Sequence, residues 1–237
     1  MCRFNYRQLC NFSNHIIKRT FKKNISTINS LKMAKTSNVK PQLFTHFLVL
    51  DFEATCDEGK QMLPQEIIEF PCLMVNAKSL QTESTFHYYV QPRVNRQLTP
   101  FCTELTGIIQ SMVDDQPHIE EALEKFDKWL EDNGLLKPEN KFIFVTCGDW
   151  DLKTMLPSQL QYFSLNTKPY FNSWINIKKP YNNLTTQYPS GMMAMLNKLN
   201  IPHEGRHHSG IDDCKNIAKI LIHLIEKGQI LKPTGKL

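Results

Sequence analysis

The chain predicts an α/β domain with a mixed sheet flanked by helices, on three observations. Three strand-like stretches follow one another closely, helical and strand-like patterns alternate after them, and two short apolar runs read as strands buried on both faces. The first buried run, Phe47-Leu48-Val49-Leu50, leads straight into Asp51-Phe52-Glu53. A loop at 57–60 separates it from a second strand over 66–75, in which Pro71 suggests a bulge or an edge position. The turn at 76–79 then gives a third strand over 84–90, and three strands this close suggest an antiparallel meander.

Helices begin with residues 98–107, where Thr99 can cap, Pro100 suits the first helical position and Gly107 stops the run. A longer helix is expected from His118 to Asn133, since Ile119, Leu123, Phe126 and Leu130 recur at spacings of three or four and Gly134 follows. The second buried run, 141–147, delivers the chain into Gly148-Asp149-Trp150-Asp151, with a helix beginning near Asp151. A short strand over 171–177 and a short helix over 192–199 lead to His207-His208-Ser209-Gly210-Ile211-Asp212-Asp213, which opens the last helix. Its apolar stripe is read as Ile211, Cys214, Ala218, Leu221, Ile222 and Ile225.

A body of this length suits one domain, expected over 44–230, with a C-terminal tail at 231–237 and a basic N-terminal tail at 1–40. The formal charge of +5 is concentrated in that N-terminal tail. Residues 1–50 hold nine Lys or Arg and no acidic residue, leaving 19 basic against 23 acidic residues beyond them. Net charge alone therefore does not make the body a nucleic-acid binder; that would need a local basic patch or bound cations. The tail's mixture of basic, hydroxyl and apolar residues resembles a mitochondrial transit peptide, the other reading being a disordered basic tail. A product begun at Met33 would lack most of it, which implies the cytoplasm or nucleus. Seven cysteines without a C-x-x-C pair read as free thiols in a reducing compartment. No apolar run approaches the roughly 20 residues that span a bilayer, so no membrane partner is expected.

Period-2 geometry sends Asp51 and Glu53 out on one side of their strand. Two carboxylates at a buried strand end repel, and hard divalent cations, which take oxygen ligands, relieve that cost. The alternative is a strand that has simply reached solvent. Asp151 after a later strand and Asp213 in the first turn of the final helix stand at similar boundaries, where a packed scaffold can aim several side chains into one cleft. His208 lies five residues before Asp213 and brings an imidazole able to take a proton near neutral pH.

This order, Asp-x-Glu, then Asp, then His-x-x-x-x-Asp, resembles the DEDDh class of 3′-to-5′ exonucleases. Five runs, LVLDFEATC at 48–56, QLTPFCTELTGI at 97–108, TCGDWDLKTMLPSQ at 146–159, WINIKK at 174–179 and HSGIDDCKNIA at 208–218, are similar to the Eri-type exoribonucleases within that class. The likeness spans roughly 44–230. It implies a ribonuclease-H-like fold and metal-dependent hydrolysis of single-stranded RNA from its 3′ end, with no protein partner indicated. Alternatives that share the site are a 3′-to-5′ DNA exonuclease and an RNA-binding protein without turnover. Carried over by residue, the resemblance makes Asp51, Glu53, Asp151 and Asp213 ligands of two Mg²⁺ or Mn²⁺ ions and His208 the general base. Trp150 would then stack on the terminal base, with Ala54 and His208 also touching substrate. Asp149 and His207 are the rivals of Asp151 and His208, and Asp212 reads as a helix-terminal charge. Lys178, Lys179, Arg206 and Lys215 are candidate phosphate contacts or else merely solvated charges, and Gly148 and Gly210 mark either places where a Cβ would crowd the cleft or plain turn chemistry.

Overall fold

The computed structural model describes residues 39–237, so the targeting expectation placed on 1–40 falls almost wholly outside the described residues. The sheet is built outward from β1 (His46–Leu50), whose residues after His46 are all buried. It needs an all-apolar sequence because it lies inside the sheet, antiparallel to β3 (Ile67–Asn76) on one side and parallel to β5 (Phe142–Thr146) on the other. β4 (Thr82–Tyr89) pairs with the far edge of β3, giving the expected meander. β6 (Ser173–Asn176) continues the parallel part beside β5. The last residues, expected to trail as a tail, instead supply β7 (Gly235–Lys236), antiparallel to β6.

One interruption in this sheet shapes the site. β2 (Glu53–Ala54) pairs with β3 along the same edge as β1, so β1 and β2 form one line broken at Asp51-Phe52, with a register shift between Glu53 and Ala54. Pro71 lies on β3 between Cys72, which pairs with Leu50, and Glu69, which pairs with Glu53. It is therefore not at a sheet edge. A residue without an N–H sits where the neighbouring line is already broken, so no ladder bond is forfeited there.

Among the helices, α1 (Pro100–Thr106) follows the sequence signals closely: the Thr99 hydroxyl accepts from Cys102 N at 2.9 Å and Gly107 closes the helix in the left-handed region. A short α2 (Gln110–Val113) follows, and α3 (Ile119–Asp132) buries Phe126 against Phe70, Phe86, Phe144 and Phe171 of the sheet side. Asp151–Met155 form a π-helical turn before α4 (Leu156–Tyr162). After β6 come α5 (Lys178–Thr185), α6 (Met192–Leu199) and α7 (Gly210–Glu226). The buried face of α7 runs through Asp213, Cys214, Ile217, Ile220, Leu221 and Leu224, whereas Ile211 and Ile222 of the expected stripe are only half-buried. No helix of the described residues is long and apolar enough to cross a membrane.

Candidate active site

Four separate elements bring the expected acidic residues to one cavity. Asp51 stands at the break after β1, Glu53 on β2, Asp151 at the start of the π-helical turn after β5, and Asp213 in the first turn of α7; all four line a cavity of about 330 Å³. Ala54, Trp150 and His208 line it too. Oxygens of Asp51, Glu53 and Asp213 lie within 4.8 Å of one another, close enough to share a cation.

Two of the four carboxylates, Asp151 and Asp213, are held by backbone amides. Phe52 N donates to Asp151 Oδ1 at 2.9 Å, tying the break in the sheet to the π-helical turn. His208 N donates to Asp213 Oδ2 at 3.0 Å, while Asp213 Oδ1 is buried with no hydrogen-bond partner. The start of α7 approaches the sheet so closely that a Cβ on Gly210 would stand 2.7 Å from the Asp51 carbonyl oxygen, a backbone atom that cannot step aside. Gly148 follows the turn alternative and not the crowding one: a Cβ there meets nothing within 4 Å, and what glycine supplies is a φ of 144°.

A fifth acidic residue, Glu69, was not singled out from sequence. It is buried opposite Glu53 in the β2–β3 pair, a like-charge arrangement that costs free energy unless one partner is compensated. Glu69 is compensated by the N–H groups of Gly210 and Ile211, at 2.9 and 3.1 Å, and by the His87 ring at 2.8 Å. It thus caps α7 from the sheet, fixing the turn that carries His208 and Asp213.

Of the other four, Asp151 and Asp213 each accept from one backbone N–H, and no Lys or Arg lines the cavity among the described residues. Burial, then the neighbouring Asp151 and Glu53, hold the Asp51 carboxyl well above the usual range. Burial, followed by Glu69, pushes Glu53 up to about 9. Burial likewise raises Asp151 and Asp213 to about 6 each, against the pull of the N–H groups of Phe52 and His208. An acid whose pKa is raised on folding stabilises the folded state fully below its unfolded pKa and loses that contribution as pH climbs towards the folded value. Metal-free protein should therefore lose stability from about pH 4 upward, through 6 for the two aspartates and 9 for Glu53. Glu53→Gln should raise the melting temperature of EDTA-treated protein by several degrees at pH 8, the order of ~1–3 kcal/mol, and leave it nearly unchanged at pH 4. Thermal melts of both proteins at the two pH values check this, and equal melting temperatures at pH 8 would remove the repulsion from the account.

His208 takes a backbone φ of 64°, and burial, then His207 and Arg206, lower its pKa below the ordinary imidazole value. It is thus held neutral near pH 7, with a lone pair free to accept a proton. Trp150 keeps 40 % of its surface exposed at the wall, an unusual position for an indole unless something flat covers it.

Of the rivals, His207 lines the cavity as His208 does, whereas the two aspartates differ. Asp149 does not line the cavity; its Oδ1 accepts from Trp174 Nε1 at 2.8 Å. Asp212 accepts from Arg206 N at 3.0 Å and Lys215 Nζ at 2.9 Å at the start of α7. The candidate phosphate contacts are engaged elsewhere: Lys178 Nζ donates to Ser190 O at 3.1 Å, Lys179 Nζ to Thr234 O at 2.6 Å, and the Arg206 guanidinium to Glu104 O. Apolar Leu105, Met192 and Ile217, unremarked in the sequence, complete the walls.

A family model described as exonuclease, RNase_T, matches residues 48–221. ERI1 exoribonuclease 3 of Bos taurus is 56% identical over 205 residues, covering 86% of this chain and 60% of that protein. The 3′-5′ exoribonuclease 1 of Rattus norvegicus is 38% identical over 208 residues, again covering 86% of this chain and 60% of that protein. The chain thus spans about 60% of the length of these curated relatives. Among solved structures, the nuclease domain of 3′hExo, a DEDDh family member bound to rAMP, superposes with a TM-score of 0.80 at 36% identity, covering 84% of this chain and all of that one. A structure of 3′-end specific recognition of histone mRNA stem-loop by 3′-exonuclease also gives 0.80, at 34% identity, covering 98% of this chain and 82% of that one.

Proposed function

Because this chain belongs to the DEDDh exonuclease family, with Eri-type exoribonucleases among its relatives, we propose that it removes nucleotides one at a time from single-stranded RNA 3′ ends. The observation that carries this reading is a single cavity collecting four raised carboxylates, without a cationic side chain, beside a neutral imidazole.

The residues fit divalent cations: the donors are hard oxygens, no Lys or Arg lines the cavity to offset their mutual repulsion, and Asp213 Oδ1 is buried without a partner. Asp51, Glu53, Asp151 and Asp213 would hold two Mg²⁺ or Mn²⁺ ions. Such ions supply the positive charge that draws a phosphodiester into an acidic cavity and steadies charge building on the leaving 3′-oxygen. His208 takes the proton of the attacking water as the new P–O bond forms. The P–O3′ bond breaks and the 3′-oxygen gains a proton, so the released unit is a nucleoside 5′-monophosphate. Trp150 stacks on the terminal base, worth roughly 1–3 kcal/mol, and Ala54 underlies the terminal nucleotide.

A 5′-labelled single-stranded RNA should shorten stepwise from its 3′ end in Mg²⁺, faster than a DNA strand of matched sequence. Faster removal from DNA would favour the DNA exonuclease, and binding without release of mononucleotides would favour the non-catalytic reading. RNA is chosen because the relatives are exoribonucleases by name and the 36% identical nuclease domain was solved with rAMP. Residues 1–40 are proposed to direct the chain to mitochondria when translation begins at Met1. Fusing them to a fluorescent reporter should give mitochondrial signal, and a diffuse signal would end that proposal.

A further inference from the structure

His207 lines the cavity and helps lower the His208 pKa, yet it takes no proton in the chemistry above and stands beside two residues that take part in it. Its ring stacks on that of His208 with centroids 4.0 Å apart, and one donor atom from each of His207, His208 and Asp213 lies within 4.8 Å of the others. Two imidazoles and a carboxylate are a different donor set from the all-oxygen group of Asp51, Glu53 and Asp213. Hard Mg²⁺ favours oxygen and water, whereas imidazole nitrogen suits Zn²⁺.

We propose that His207, His208 and Asp213 form a Zn²⁺ site overlapping the carboxylate centre, and that zinc bound there silences the cavity. One observation beyond the clustering supports it. Asp213 is only 4% exposed, and its buried Oδ1 has no hydrogen-bond partner. The second Asp213 oxygen accepts from His208 N at 3.0 Å, so the turn that carries both histidines is already fastened to the third ligand. The exposed His207 ring can swing to bring its nitrogen within the roughly 2.0–2.1 Å that zinc requires, and water fills the fourth position.

The silencing, which rests on the proposed hydrolysis, has a simple cause. An imidazole whose lone pair is on zinc cannot accept a proton, and Asp213 is withdrawn from the hard-cation group. Zinc binding itself does not depend on turnover.

The test titrates the full chain with Zn²⁺ against a chromophoric chelator, with and without millimolar Mg²⁺, which competes for Asp213 but not for the imidazoles. One tight Zn²⁺ per chain is expected, and His207→Ala and His207→Gln should each weaken it by roughly tenfold or more. Co²⁺ used as a probe should give the intense visible bands of a four-coordinate nitrogen-containing site in the wild type and lose them in both variants. In the RNA assay without zinc both variants should match the wild type, and with zinc they should need at least ten times more metal for half inhibition. Unchanged zinc affinity in both variants would overturn the proposal, as would zinc binding that is lost in Glu53→Gln but kept in His207→Ala. If no RNA is hydrolysed at all, the chelator and Co²⁺ measurements still decide it, because they read metal rather than turnover.

Discussion

Asp151→Asn lowers kcat by roughly 10³-fold or more in saturating Mg²⁺, while Asp149→Asn stays within about threefold of wild type. The two residues sit either side of Trp150, and nothing in their spacing distinguishes them. Their partners do. Asp151 is 4% exposed, bonded to the Phe52 amide and open to the cavity, so an uncharged amide there removes a quarter of the carboxylate set. Asp149 accepts from the Trp174 indole at 2.8 Å, a bond the carbonyl of asparagine can still make. Chelation by EDTA should abolish hydrolysis in wild type and in Asp149→Asn alike. Steady-state kinetics of the two variants measure this. An active Asp151→Asn beside an inactive Asp149→Asn would show that the cation group is assembled around the wrong aspartate.

What sequence could and could not disclose follows from the range of the interactions involved. The capping of α1 by Thr99, Pro100 and Gly107 is local chemistry within one helical turn at each end, and it was readable. So was the meander, since the β3 and β4 strands are joined by a tight turn. On α7 the expected stripe holds at Cys214, Ala218, Leu221 and Ile225, all buried; Ile211 and Ile222 are only half-buried, and Ile217, Ile220 and Leu224 widen the buried face against β3 and β1. Glu69 was illegible because the amides it caps lie more than 140 positions away, at Gly210 and Ile211, and a glutamate inside an apolar strand has no local mark of that role. The basic residues show the same long range. Lys178, Lys179 and Arg206 look available as letters, yet each is spent on a backbone carbonyl that only the folded chain brings near.

His208→Ala should lower kcat by roughly 10² to 10⁴ in Mg²⁺ while substrate affinity stays nearly intact, with zinc excluded from the assay. Its N–H bond to Asp213 comes from the backbone, so alanine keeps the turn and removes only the imidazole. The φ of 64° costs alanine something, but the loop is held by Glu69 and Asp212 as well. In wild type, log kcat should rise with pH while the imidazole deprotonates and then level. Since burial, His207 and Arg206 lower that pKa, and nearby cations lower it further, the levelling should fall on the acid side of the ordinary imidazole value. His208→Ala should lack this limb altogether. His207→Ala should keep the limb, moved towards the ordinary imidazole value, and nearly the same plateau rate, because the neighbouring ring stacks on the base and lowers its pKa without taking the proton. A pH–rate profile of the three proteins on one short RNA decides between them: a limb surviving in His208→Ala, or vanishing in His207→Ala, would move the general base off residue 208.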